Sequence, residues 1–138
     1  MNHYTFDELS VGMTESFSVT VTEDMLLSFG ELSGDKNPMH TDAQYAAANG
    51  YKDRLVYGML SSSFFSTLVG MYLPGEYCLL LSCSSAFHKP VYTGDTLTVS
   101  GKITAKNEST RTVEIKALIT NQNNEKTVKG KILVGLTK

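Results

Sequence analysis

Gly58-Met59-Leu60-Ser61-Ser62-Ser63-Phe64-Phe65-Ser66-Thr67-Leu68-Val69-Gly70-Met71 reads as one long helix, and its composition decides what must surround it. Met59, Leu60, Phe64, Phe65, Leu68, Val69 and Met71, with Tyr72 beyond, leave nearly every side apolar, and only small hydroxyl residues soften the rest. A helix with no polar face has none to give to water, so this one is expected to be buried all round. Pro74-Gly75 ends it. The wider run Val56 to Leu73 contains Ser61, Ser62, Ser63, Ser66 and Thr67, which makes it too polar and slightly short for a membrane span.

Downstream of the helix the pattern changes period. Tyr77 to Phe87 is apolar at both parities near its start, as expected for a central strand covered on both faces. Leu97, Val99 and Ile103 alternate with Thr96, Thr98, Ser100, Lys102 and Thr104, and Val113, Ile115, Ala117 and Ile119 repeat the pattern. After the turn Asn121-Gln122-Asn123-Asn124, Val128, Ile132, Val134 and Leu136 share one side of a last strand. Three alternators in succession make an antiparallel meander with one dry face. A dry sheet face and an apolar helix solve each other's burial problem. The expected architecture is therefore α+β, an antiparallel sheet wrapped around one long central helix.

Upstream, Ser16 to Val21 alternates as a first strand. Thr22 is placed to cap a helix over Glu23 to Leu32, with Glu23 and Asp24 in its first turn and Gly34 as its stop. Asp35 to Thr41 is expected to be irregular, because Pro38 disfavours a helical residue before it. Asp42 then caps a short helix, Ala43 to Asn49, ended by Gly50.

A chain of 138 residues is expected to form one domain, residues 1–138, with enough core to need no disulfide or metal. Hydrophobic residues make up 41% and charged residues 19%, the proportions of a globular protein. The net charge is −2 and the Lys and Arg residues are scattered, which argues against nucleic acid as a partner. Met1-Asn2-His3-Tyr4 lacks a basic region leading into an apolar stretch, so no secretory signal and a cytoplasmic location are expected. Cys78 and Cys83 lie in one strand at odd separation, are expected to face opposite sides, and read as two reduced thiols.

The chemistry concentrates in Leu32-Ser33-Gly34-Asp35-Lys36-Asn37-Pro38-Met39-His40-Thr41-Asp42. Asp35 and His40 are five residues apart, which points them apart on a helix but lets them converge across a compact turn. A carboxylate to hold water and an imidazole to exchange its proton suit general acid–base catalysis. Asx-turn chemistry by itself also accounts for the residue types of Gly-Asp-x-Asn-Pro. No Cys/His cluster, phosphate-cradling glycine loop or nucleophile elbow accompanies them, and His3 and His88 have no ligands at metal spacing.

This run, with Tyr45 and Ala46 after it, closely resembles the signature of the (R)-specific enoyl-CoA hydratase and MaoC-like dehydratase family. Gly58-Met59-Leu60 is similar to that family's Gly-Met segment, and Phe87-x-x-Pro90-Val91-x-x-Gly94-Asp95 to its strand-turn pattern, all in order from about Phe6 onward. The resemblance implies a hot-dog fold, a homodimer and no cofactor or metal. It implies an (R)-specific hydratase/dehydratase that acts on acyl-CoA or acyl-carrier-protein thioesters. Asp35 and His40 would be the catalytic pair, with Asn37 positioning the water or the pair. Gly58 would offer its N–H to the thioester oxygen, and Ser66 would supply a supporting hydroxyl.

One position departs from the family: Tyr57 stands where relatives usually carry His, and a phenol there would donate toward the pocket. Lys36, Lys52 and Arg54 flank the site and would suit the phosphates of coenzyme A or an acidic carrier. Phe64, Phe65, Leu68, Met71 and Pro74-Gly75-Glu76 are candidates to line or limit an acyl tunnel. Two other readings stand beside this one: a thioesterase on the same fold, and a non-catalytic acyl-thioester-binding protein.

Overall fold

The computed structural model describes Met1–Lys138. Nine elements follow a short 3₁₀ turn at Phe6–Glu8. They are β1 (Thr14–Thr20), α1 (Glu23–Ser33), α2 (Pro38–Thr41), α3 (Ala43–Ala48), α4 (Gly58–Thr67), β2 (Cys78–Phe87), β3 (Thr96–Asn107), β4 (Thr112–Thr120) and β5 (Lys126–Leu136). α4 continues through one wider π-helical turn, Leu68–Tyr72, closed by the Leu73 N–H on the Leu68 carbonyl at 2.9 Å.

The five strands form one antiparallel sheet in the order β1-β3-β4-β5-β2. β3, β4 and β5 are consecutive neighbours, as their shared alternation requires. Leu97, Val99, Ile103, Val113, Ile115, Ile119, Ile132 and Val134 are sealed on their inner face. Against them lie Phe65, Leu68 and Val69 of the helix. Two glycines allow the close approach. A Cβ on Gly101 would come within 2.9 Å of Leu68 Cδ2, and one on Gly130 within 2.6 Å of the Phe65 ring. The helix sits in a trough cut by missing side chains.

Three expectations need correction. β2 is not a central strand: it is an edge, and Leu79, Leu80, Leu81 and Phe87 are each about half exposed. α4 is not covered all round either, since Met59 is 64% exposed and Ser63 and Ser66 face outward beside it. Cys78 and Cys83 share a face, because a bulge between Leu80 and Ser82 inserts a residue. They pair with Leu136 and Ile132, four residues apart on the inner side of β5. That is about 13 Å along a strand, still too far for a disulfide. Burial pushes the Cys78 thiol up to about 11.

Asp35–Thr41 is less irregular than expected. Asn37 accepts the Met39 N–H on its side chain at 2.9 Å, and Pro38 takes the first helical position of the one-turn α2. Proline is at home there, since that N–H has no helical acceptor in any case. Thr22, Gly34 (φ 75°) and Asp42 act as cap, stop and cap, as their residue types predict.

Candidate active site

The loop between α1 and α2 is shaped by Asp35 itself. Its Oδ1 accepts the Asn37 N–H at 3.0 Å, which tightens the turn into Pro38. Its other oxygen has no partner within the chain, and the residue is exposed. α2 then delivers His40 against the segment Leu55–Tyr57. That segment is pinned on both sides, by the Leu55 N–H to Met39 O (2.9 Å) and the Val56 N–H to Val91 O (2.8 Å).

His40 Nδ1 lies 2.7 Å from the Leu55 carbonyl oxygen. A carbonyl only accepts, so Nδ1 carries the hydrogen and the neutral ring keeps its lone pair on Nε2. No protein group bonds Nε2. The ring lines a cleft of about 370 Å³ together with Gly58, Ser61, Phe87, His88 and Val128, the last supplied by β5. A space of that size accepts a small acyl group.

Gly58 opens α4, so its N–H has no intrahelical acceptor, and no loop carbonyl takes it. A free N–H at a helix N-terminus favours an oxyanion. A side chain there would also meet the Phe87 ring at 2.9 Å and push that half-exposed ring aside. Three residues on, Ser61 is 1% exposed, lines the cleft, and its Oγ has no hydrogen-bond partner.

His40 and Gly58 thus meet in one cleft, and the other expected residues stand outside its lining. Asp35 and His40 share no hydrogen bond, and the Asp35 carboxylate faces solvent. Asn37 spends its side-chain oxygen on capping α2. Ser66 is exposed on the outer side of α4, and the hydroxyl in the cleft is that of Ser61, which the sequence did not single out. Tyr57 offers no free donor, because its O–H donates to the Asp35 backbone carbonyl at 2.7 Å.

The flanking charges are partly engaged: Arg54 forks onto both oxygens of Glu23, Lys36 pairs with Glu31, and Lys52 lies over the Tyr92 ring. Phe65 and Leu68 belong to the core, and Pro74-Gly75 is buried beneath the N-terminal strap, where Tyr4 N–H bonds Pro74 O. No three His, Cys, Asp or Glu side chains gather at metal-holding distance.

Comparison with known proteins shows the family and the fold. The family model described as MaoC like domain matches residues 9–125. An (R)-specific enoyl-CoA hydratase of Aeromonas caviae is 34% identical over 128 residues, 93% of this chain and 96% of that protein. One from Rhodospirillum rubrum is 36% identical over 102 residues, 74% and 70% respectively. The solved structure of R-hydratase PhaJ1 from Pseudomonas aeruginosa, unliganded, matches with a TM-score of 0.89 and 32% identity, covering 96% of this chain and 84% of that one.

Proposed function

Since this chain belongs to the MaoC-like domain family, with the hot-dog fold of its hydratase relatives, we propose that it interconverts trans-2-enoyl and (3R)-3-hydroxyacyl thioesters. The observation that carries the reading is the cleft itself. It is lined by an imidazole held in one tautomer, by the glycine whose N–H is free, and by a buried hydroxyl without a partner.

In hydration, a water O–H breaks as its oxygen bonds C3, and a hydrogen is delivered to C2. His40 Nε2 is the base that takes the proton from water and the acid that passes one to C2. Asp35 stands across the Asn-Pro turn with one unpartnered oxygen, and the role of holding the water comes to it from the resemblance rather than from the lining of the cleft. As C3 is attacked, negative charge moves to the thioester oxygen, which the Gly58 N–H receives. One such donor typically lowers a barrier by about 3 kcal/mol. The Ser61 hydroxyl takes the supporting role expected of Ser66.

The working unit is a homodimer paired through β2, whose sequence Cys-Leu-Leu-Leu-Ser-Cys-Ser-Ser-Ala-Phe carries no charge and no proline. An apolar edge of that kind is one that proteins ordinarily cover. The thioester is carried by coenzyme A or by an acyl carrier protein, and the cytoplasm is its place.

Crotonyl-CoA tests the reading. Loss of enone absorbance without thiol release is the expected result. Thiol release would make the protein a thioesterase, and neither signal would make it a binder. Asp35→Asn and His40→Ala are each expected to lower turnover by about 10²- to 10⁴-fold, the usual share of a general acid–base group, with unfolding midpoints held. Near-normal turnover in either variant removes that residue from the mechanism.

A further inference from the structure

Tyr57 touches every part of the site without facing its substrate. Its O–H donates to Asp35 O at 2.7 Å, and its ring lies 4.0 Å from the His40 ring, centroid to centroid. Its own carbonyl accepts the N–H groups of Leu60 and Ser61, fixing the first turn of α4 behind Gly58. The residue is 3% exposed and wedged against Phe29 at 5.1 Å. The hydroxyl fills a notch in α1 left by Gly30, where a Cβ would come within 2.6 Å of the phenol oxygen.

We propose that Tyr57 is a positioning residue. It locks the Asp35 turn, the His40 ring and the start of α4 into one arrangement, and Gly30 provides the room it needs. The role rests on the hydratase reading above for its catalytic consequence. It acts through backbone and ring contacts, so it leaves the Asp35 carboxylate and His40 Nε2 free for chemistry. Burial, and then the nearby Asp35 charge, push the phenol above its usual range, which keeps the donor protonated.

Two substitutions break the same contact from opposite sides. Tyr57→Phe removes the proton and keeps the ring. Gly30→Ala leaves Tyr57 intact but drives a methyl into the hydroxyl. Each is expected to lower kcat on crotonyl-CoA about tenfold with KM nearly unchanged, the scale of one lost hydrogen bond and a loosened geometry. The double variant is expected to be no worse than Tyr57→Phe, because the atom the methyl strikes is gone and the next ring atom lies 3.4 Å away.

Amide exchange supplies a readout that needs no turnover. The Asn37 and Met39 N–H groups should exchange several-fold faster in both single variants, with α3 and the sheet unchanged. Multiplying kcat losses, an effect confined to KM, or unchanged loop exchange would each overturn the proposal. If the wild-type protein leaves thioesters untouched, the hydratase reading falls, and the exchange series alone decides whether Tyr57 holds the loop. Should Gly30→Ala fail to fold, Tyr57→Phe with exchange still decides it.

Discussion

A serine inside a helix ordinarily bonds back to the carbonyl four residues earlier or reaches water. Ser61 does neither, although it is sealed and lines the cleft. A buried hydroxyl without a partner costs stability, and a bound ligand that accepts from it returns that loss. Ser61→Ala is therefore expected to move two measurements in opposite directions. The urea midpoint should rise, by up to about 1 kcal/mol in stability, while kcat/KM on a 2-enoyl thioester falls about tenfold. A variant that is less stable and equally active would make Ser61 a packing residue only. Periodicity had no means of preferring Ser61 to Ser66. Measured around an ideal helix from Gly58, one lies about 60° to one side and the other about 80° to the other. Only the direction from which the sheet approaches separates them. Asp35 and His40 stood out as candidates because an Asn-Pro turn and its flanking glycine leave local marks, and the structure brings only His40 into the cleft lining. The Tyr57 bond to Asp35 spans 22 residues, and nothing local announces it.

At the scale of elements, the meander and the long helix were legible because alternation and its absence are direct records of which faces water reaches. β2 misled for the same reason. A run apolar at both parities looks alike whether its own chain covers it or a neighbour does. The bulge at Leu80/Ser82 is equally silent, and it overturned the assignment of Cys78 and Cys83 to opposite faces. α2 carries an ambiguous local signal, since Asn-Pro can be a cap followed by a first helical residue as readily as a break. The seating of α4 on the sheet depends on Gly130, where a Cβ would meet the Phe65 ring at 2.6 Å and the Ser84 carbonyl oxygen at 2.7 Å. Neither gives way easily, the ring because Phe65 is sealed in the core and the oxygen because it belongs to the backbone of β2. Gly130→Ala is expected to cost about 1–3 kcal/mol in urea unfolding, the usual range for an overpacked site. An unchanged midpoint would mean that helix and sheet sit further apart than described.

Over the whole molecule, the two edges of the sheet differ in kind. β1 alternates, with Thr14, Ser16, Ser18 and Thr20 on its exposed face, and Thr20 meets Thr96 of β3 in a hydroxyl pair there. β2 presents three consecutive leucines and a phenylalanine, all about half exposed, and Met59 of α4 is uncovered as well. A monomer rarely leaves such an edge and face open together. A two-fold axis satisfies both at once, because it pairs β2 antiparallel with its own copy and extends the sheet. Phe87 belongs to this strand and also walls the cleft, so pairing would complete the site's environment as well as the core. Leu81→Lys tests this without touching the cleft lining, since it places a charge beside the bulge where the second copy would lie. Light scattering should give the wild-type protein twice the 15.1 kDa chain mass, and the variant the single mass at micromolar concentration with its helical signal retained. Turnover per chain should fall in the variant and, for the wild type, on dilution through the dissociation range. A wild-type protein that is monomeric and fully active at every concentration would mean that the leucines of β2 serve some other partner.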